Sequence, residues 1–206
     1  MAENDKKFII EIFRKKDAEE LTKALSDAEG KLHIGSAAAL AAAEACAMAL
    51  RAAAADADKL EAERRDYLLR NLETQRAYMV YLIDEDVKGR NILKRARKEA
   101  DEQKIEAALH PACAISDEII SSVRNLLELF DELSAVCTAE GAAFLGSAAE
   151  LAMAALRCAR LYVLATSGMS GDETFRFVTR RENELTLEGC APVVERILAR
   201  VEAALR

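Results

Sequence analysis

The chain has 206 residues, a net charge of −7 and 51% hydrophobic residues, and about a fifth of its positions are alanine. Only 2 prolines and 8 glycines punctuate it, which argues against turn-rich β-sandwiches and doubly wound α/β folds. The apolar content excludes a disordered or collagen-like chain, and the acidic balance argues against a general nucleic-acid binder. What remains is an all-α protein, a bundle of long antiparallel helices with Ala-rich central helices, folded as one domain over 1–206.

The N-terminal residues carry charges before a short apolar cluster that Glu11 interrupts, so no signal peptide is expected. The uncharged runs 32–43 and 161–171 are too short to span a bilayer. Five cysteines, at 46, 113, 137, 158 and 190, show no CxxC or finger spacing, and predict reduced thiols in a cytoplasmic protein.

Residues 5–29 read as a first helical region. Phe8, Ile9, Ile12 and Phe13 form an apolar stripe, and Asp17 can cap a turn carrying Leu21, Ala24 and Leu25. Gly30 closes this region. Ser36 is placed to cap a helix over 37–55 built almost entirely of small residues, which belongs at a bundle's centre. Residues 56–81 predict a charged amphipathic helix with Leu60, Tyr67, Leu68, Leu72, Met79 and Leu82 at helical spacing. Residues 83–101 continue as helix, though Gly89 is expected to weaken it. A further helix spans 103–136, with Pro111 inside as a kink. Residues 139–141 read as a turn, and 142–166 as a second small-residue helix. Ser167–Asp172 is the clearest loop. The last helical region covers 172–206, with a break expected at 189–192. Gly35-Ser36-Ala37-Ala38 is echoed by Gly146-Ser147-Ala148-Ala149, a match that alanine-rich sequence makes cheap.

The order of these features is informative. A Gly-Ser step opens an Ala-rich helix, a polar helix reaches Glu85-Asp86, a third carries His110-Pro111, and a second Ala-rich helix ends at a polar loop. In this order the chain resembles the cyclodeaminase/cyclohydrolase family, which includes the cyclodeaminase domain of formiminotransferase-cyclodeaminase and bacterial methenyltetrahydrofolate cyclohydrolases. Several family positions differ. A Pro-Gly-Gly-Gly-Ser stretch is represented by Leu32-His33-Ile34-Gly35-Ser36, keeping one glycine and the serine. The acidic pair matches Glu85-Asp86, but the Ala-Phe after it does not recur. Val-Pro becomes His110-Pro111. The Ser-Asp step falls on Ser147-Ala148, or four residues earlier at Phe144. The asparagine pattern falls on Tyr162 or Thr166, and neither is asparagine.

The resemblance implies an all-helical homodimer that takes a tetrahydrofolate derivative as substrate. Charge, run lengths and ligand spacing lead us to expect no nucleic-acid, membrane or metal partner. The resemblance also implies cyclodeaminase or cyclohydrolase chemistry, or a lapsed homologue that keeps the fold as a binding or structural protein. Both reactions need a carboxylate near a developing cation and a group that moves a proton to or from nitrogen. Asp86 and His110 are the expected catalytic residues, and His33, Gly35, Ser36, Ser147 and Thr166 the expected substrate-binding ones.

Each has a plainer reading. Asp86 can pair with Arg90 one turn on along an exposed helix face. Ser36 can simply cap its helix, or the free N–H groups there can hold an anion. Either histidine can shuttle a proton near neutral pH or make an ordinary polar contact. His110 and Cys113 lie one turn apart, but two ligands alone make a weak metal pair. Lys88, Arg90, Lys94, Arg95, Arg97 and Lys98 form the one basic cluster, suited to a polyglutamate tail or to a solvated face.

Overall fold

The computed structural model describes residues 12–206, so Phe8 and Ile9 of the expected first stripe lie outside the described residues. Phe13 sits in a short 3-10 turn, Phe13–Lys15, with its ring buried. Its backbone N–H donates to Asp84 Oδ1 at 2.8 Å. Six helices follow: α1 (Ala18–Ser26), α2 (Ile34–Ala55), α3 (Ala62–Glu99), α4 (Glu102–Ser134), α5 (Ala139–Ser167) and α6 (Glu173–Ala204). Asp17 caps α1 by accepting from the Glu20 N–H, as its position before a helical stripe predicts.

The long helices alternate in direction. Contacts pairing His33 with Tyr162 and Asp56 with Thr138 set α2 and α5 antiparallel. Contacts pairing Glu106 with Gly171 and Asp131 with Arg196 set α4 and α6 parallel to each other. The two Ala-rich helices form the centre: α2 packs on α5, α3 and α4, and α5 on α2, α4 and α6. Alanine on most sides lets their axes approach closely, and Ala39, Ala42, Ala45, Ala149, Ala152 and Ala155 are fully buried there. Both helices are long and apolar enough to cross a membrane by composition. About half of each apolar stretch is buried inside the protein, 50% in Ile34–Ala55 and 56% in Ala139–Ser167.

Four local expectations need correction. The first Ala-rich helix starts at Ile34, with His33 at the N-cap position, so Ser36 lies inside the first turn and does not cap it. Asp56 ends α2, and the charged helix begins only at Ala62. Residues 139–141 are the first turn of α5, after Thr138. The last helix runs unbroken through Gly189 and Pro192. Proline is tolerated at 192 because the carbonyl it frees belongs to exposed Glu188, where water can satisfy it.

Gly89 does not weaken α3; it makes room. A Cβ there would lie 3.0 Å from the Pro111 carbonyl oxygen of α4. The two chain features that looked like helix breakers therefore meet, one allowing the other's backbone to come close.

Candidate functional site

The N-terminus of α2 is closed by an acid from another helix. Asp86, in the middle of α3, is 2% exposed. Its Oδ2 accepts the Ser36 backbone N–H at 2.8 Å and the Ser36 hydroxyl at 2.7 Å. Its Oδ1 occupies the space where a Gly35 side chain would begin, and a Cβ there would also lie 2.6 Å from Cγ. Gly35 is thus required for close approach, and Ser36 supplies two donors to a carboxylate that a helix dipole favours. The anion expected at this helix start is the chain's own. Burial pushes the Asp86 carboxyl above its ordinary value, while the Ser36 bonds and the Arg90 charge hold it down. Asp86 forms no ion pair with Arg90 on an exposed face.

The opposite end of the central pair repeats the device. Asp56, 3% exposed at the end of α2, accepts the Thr138 N–H at 3.1 Å and also the Thr138 hydroxyl. A Cβ on Gly141 would collide with its Oδ2. Gly35 and Gly141, not the Gly35/Gly146 echo, are the structural counterparts.

A cleft of about 540 Å³ opens beside the Asp86 end. Its walls are the α1–α2 connector with Glu29, Gly30 and His33, the end of α3 with Arg90, Lys94, Arg97 and Lys98, and the end of α5 with Tyr162, Thr166 and Met169. Thr166 and Tyr162, one turn apart on α5, are both buried. The Tyr162 ring meets the His33 ring edge-on, with centroids 5.2 Å apart. Burial and the Asp86 charge raise the Tyr162 phenol above its ordinary value, against the neighbouring Thr166 hydroxyl and Arg90. Burial and Arg90 lower the His33 imidazole, which keeps it neutral near neutral pH. Its Nδ1 is buried without a hydrogen-bond partner.

The loop after α5 is clasped from α4. Glu106 accepts the Gly171 N–H at 2.9 Å and the Ser170 hydroxyl, which sets Met169 against the cleft beside Arg97. Asp172 then caps α6 through the Thr174 and Phe175 N–H groups.

Gly35, Ser36, Asp86, His33 and Thr166 therefore converge, with Asp86 just behind the cleft wall. His110 and Ser147 do not. His110 is exposed on α4, its ring 4.1 Å from that of Phe175. Ser147 is exposed on α5 and donates to the Ala143 carbonyl within its own helix. Cys113, the other half of the weak metal pair, faces inward, and burial pushes its thiol up to about 12. Among the described residues no three His, Cys, Asp or Glu side chains converge as a metal site. Tyr162 is the cleft residue that sequence reading undervalued. The sole signal for it was one of two possible registers for α5.

The sequence matches the formiminotransferase-cyclodeaminase family model over residues 18–184. The chain belongs to that family. Formiminotetrahydrofolate cyclodeaminase from Thermotoga maritima, a solved structure, superposes with a TM-score of 0.81 at 20% identity, covering 93% of this chain and 98% of that one. At that identity the likeness is one of fold: the all-helical architecture is shared. No curated protein sequence matches. The match to the formiminotransferase-cyclodeaminase family spans α1 to the middle of α6, and so takes in every wall of the cleft.

Proposed function

We propose that the chain acts on a tetrahydrofolate adduct in the cleft beside Asp86, by formiminotetrahydrofolate cyclodeaminase or methenyltetrahydrofolate cyclohydrolase chemistry. The observation that carries this reading is the buried Asp86 carboxylate at the head of α2, directly behind a cleft lined by His33, Tyr162, Thr166 and four cations. In either reaction a carbon held between two nitrogens is cationic or becomes so. A buried carboxylate stabilises that charge more strongly than an exposed one, because little solvent screens it. The neutral His33 imidazole on the cleft wall suits contact with a polar heterocycle. Arg90, Lys94, Arg97 and Lys98 suit the carboxylates of a glutamate tail.

Asp86→Asn is expected to slow turnover of methenyl- or formimino-tetrahydrofolate at least about tenfold while the helical melt is retained. Turnover equal to wild type would remove Asp86 from the reaction. The second reading, a lapsed homologue that only binds, draws support from Ser36: its N–H and hydroxyl are both engaged by Asp86 and are not free for a ligand. Folate binding by calorimetry with no turnover of either substrate would establish it over the first.

The family resemblance also supports a cytoplasmic homodimer. The outward side of α5 carries Ser147, Glu150, Ala154, Arg157, Cys158 and Leu161. An antiparallel self-pairing about Ala154 sets Glu150 of one copy opposite Cys158 and next to Arg157 of the other, the self-complementary pattern a two-fold axis requires.

A further inference from the structure

Either reaction proposed above ends with a nitrogen leaving the one-carbon centre, and that nitrogen must gain a proton. The groups at the cleft differ in what they can give. Asp86 accepts on Oδ2 and is packed against Gly35 on Oδ1, so it presents no proton to the cleft. His33 is held neutral by burial and Arg90, and a neutral imidazole is a poor proton donor. Lys94, Arg97 and Lys98 are exposed on the rim. Among the described cleft residues Tyr162 alone brings a phenolic O–H from a buried position on the cleft wall, with its ring edge-on against His33 and Thr166 one turn further along α5.

We propose that Tyr162 is a catalytic residue of this cleft, giving its phenol proton to the nitrogen that leaves the one-carbon centre, with Thr166 orienting the phenol. The proposal rests on the folate reading. For a methenyl substrate, water forms the C–O bond and loses one proton to solvent. The hydroxyl of that adduct then becomes C=O as the C–N bond breaks with its pair on nitrogen. Tyr162 protonates the nitrogen. The hydroxyl proton passes to water, and a solvent proton restores the phenolate. The products are a formyl group, an N–H and one released proton, so atoms and charge balance. In the cyclodeaminase direction the second folate nitrogen forms a C–N bond to the formimino carbon, and its proton moves through water to the imino nitrogen. The resulting amino group leaves with its electron pair as it takes the phenol proton. A solvent proton restores the phenolate, and the products are the methenyl cation and ammonia. Burial keeps Tyr162 protonated through the neutral range, so the donor form is the resting form.

The test is Tyr162→Phe, which keeps the ring and its packing on His33. Steady-state turnover of methenyl- and formimino-tetrahydrofolate is measured beside Asp86→Asn and Thr166→Val. The expected result is a fall in kcat of about 10²-fold for the phenylalanine variant, with KM changed less than about threefold and an unaltered melt. Thr166→Val falls less, because the phenol is still present. A kcat within about twofold of wild type overturns the proposal, as does a loss carried entirely by KM, which would mark Tyr162 as a binding residue. Wild-type protein inactive on both substrates overturns the catalytic folate reading on which the proposal rests, a failure that appears before any variant is compared.

Discussion

Replacing Gly35 with alanine tests the account of the α2 head directly. The new methyl would take the place of Asp86 Oδ1 and approach its Cγ to 2.6 Å. Neither side yields easily, because Gly35 is on a helix whose axis is set by its neighbours and Asp86 is a short side chain held by Ser36 at 2.8 and 2.7 Å. The carboxylate must withdraw, and both hydrogen bonds are lost while it stays buried. Hydrogen bonds to a charged group contribute about 1.5–3 kcal/mol each. Alanine regains about 1 kcal/mol of helix propensity over glycine. The net cost is about 2–5 kcal/mol. For a chain of this size that lowers the melting temperature by roughly 5–15 °C. Calorimetric or circular-dichroism melts measure it, with Gly189→Ala as the control. Nothing lies within 4 Å of a Cβ at 189, so that change is expected to stabilise by about 0.5–1 kcal/mol. If Gly35→Ala melts within about 2 °C of wild type, Asp86 is not fixed against Gly35 and the argument for the site's geometry falls.

Two further predictions concern other parts of the bundle. Burial between α4 and α6 pushes the Asp117 carboxyl up to about 6 against its ordinary 3.8, opposed by the nearby Asn183 amide and aided by Glu182. A raised carboxyl favours the fold below its ordinary value, and that contribution is lost as pH rises through about 6. Asp117→Asn should therefore be more stable than wild type at pH 8, by on the order of 1–2 kcal/mol after allowing for solvent screening of a partly exposed group, and equal to it near pH 4. A difference that does not vary with pH in urea titrations would contradict this. Light scattering should give twice the chain mass of 22.5 kDa, and Ala154→Arg should halve it; a wild-type monomer at assay concentrations would sink the α5 pairing.

The helical architecture was legible because alanine and leucine periodicity is local, and each helix states its own length. Its errors were also local in origin. Nothing within a turn of Ser36 shows that Asp86, fifty residues away, supplies the anion at that helix start, so Ser36 read as a cap. Asp86 itself was found through motif order, whereas its burial depends on a glycine that only close packing makes meaningful. His110 sits beside Pro111 in sequence, but the rotation of α4 turns it outward to Phe175. Ser147 looked equivalent to Ser36 because four-residue echoes ignore what packs opposite, and Gly141 with Asp56 proved to be the true counterpart. The basic cluster was visible. That four of its members share a cleft follows from the α5 end and the α1–α2 connector facing them, which charge patterning alone does not encode.

The paired carboxylates at 56 and 86 have a mechanical consequence. Each fixes the head of one central helix, and the two lie at opposite ends of an antiparallel pair. A lengthwise slide of α5 along α2 by even a fraction of a turn would pull Thr138 from Asp56, and any lift of α2 would pull Ser36 from Asp86. The pair therefore behaves as a bar bolted at both ends, and holds His33 in register with Tyr162. Whatever movement admits a molecule to the cleft falls on the walls outside that bar: the connector through Gly30, and the loop that Glu106 clasps.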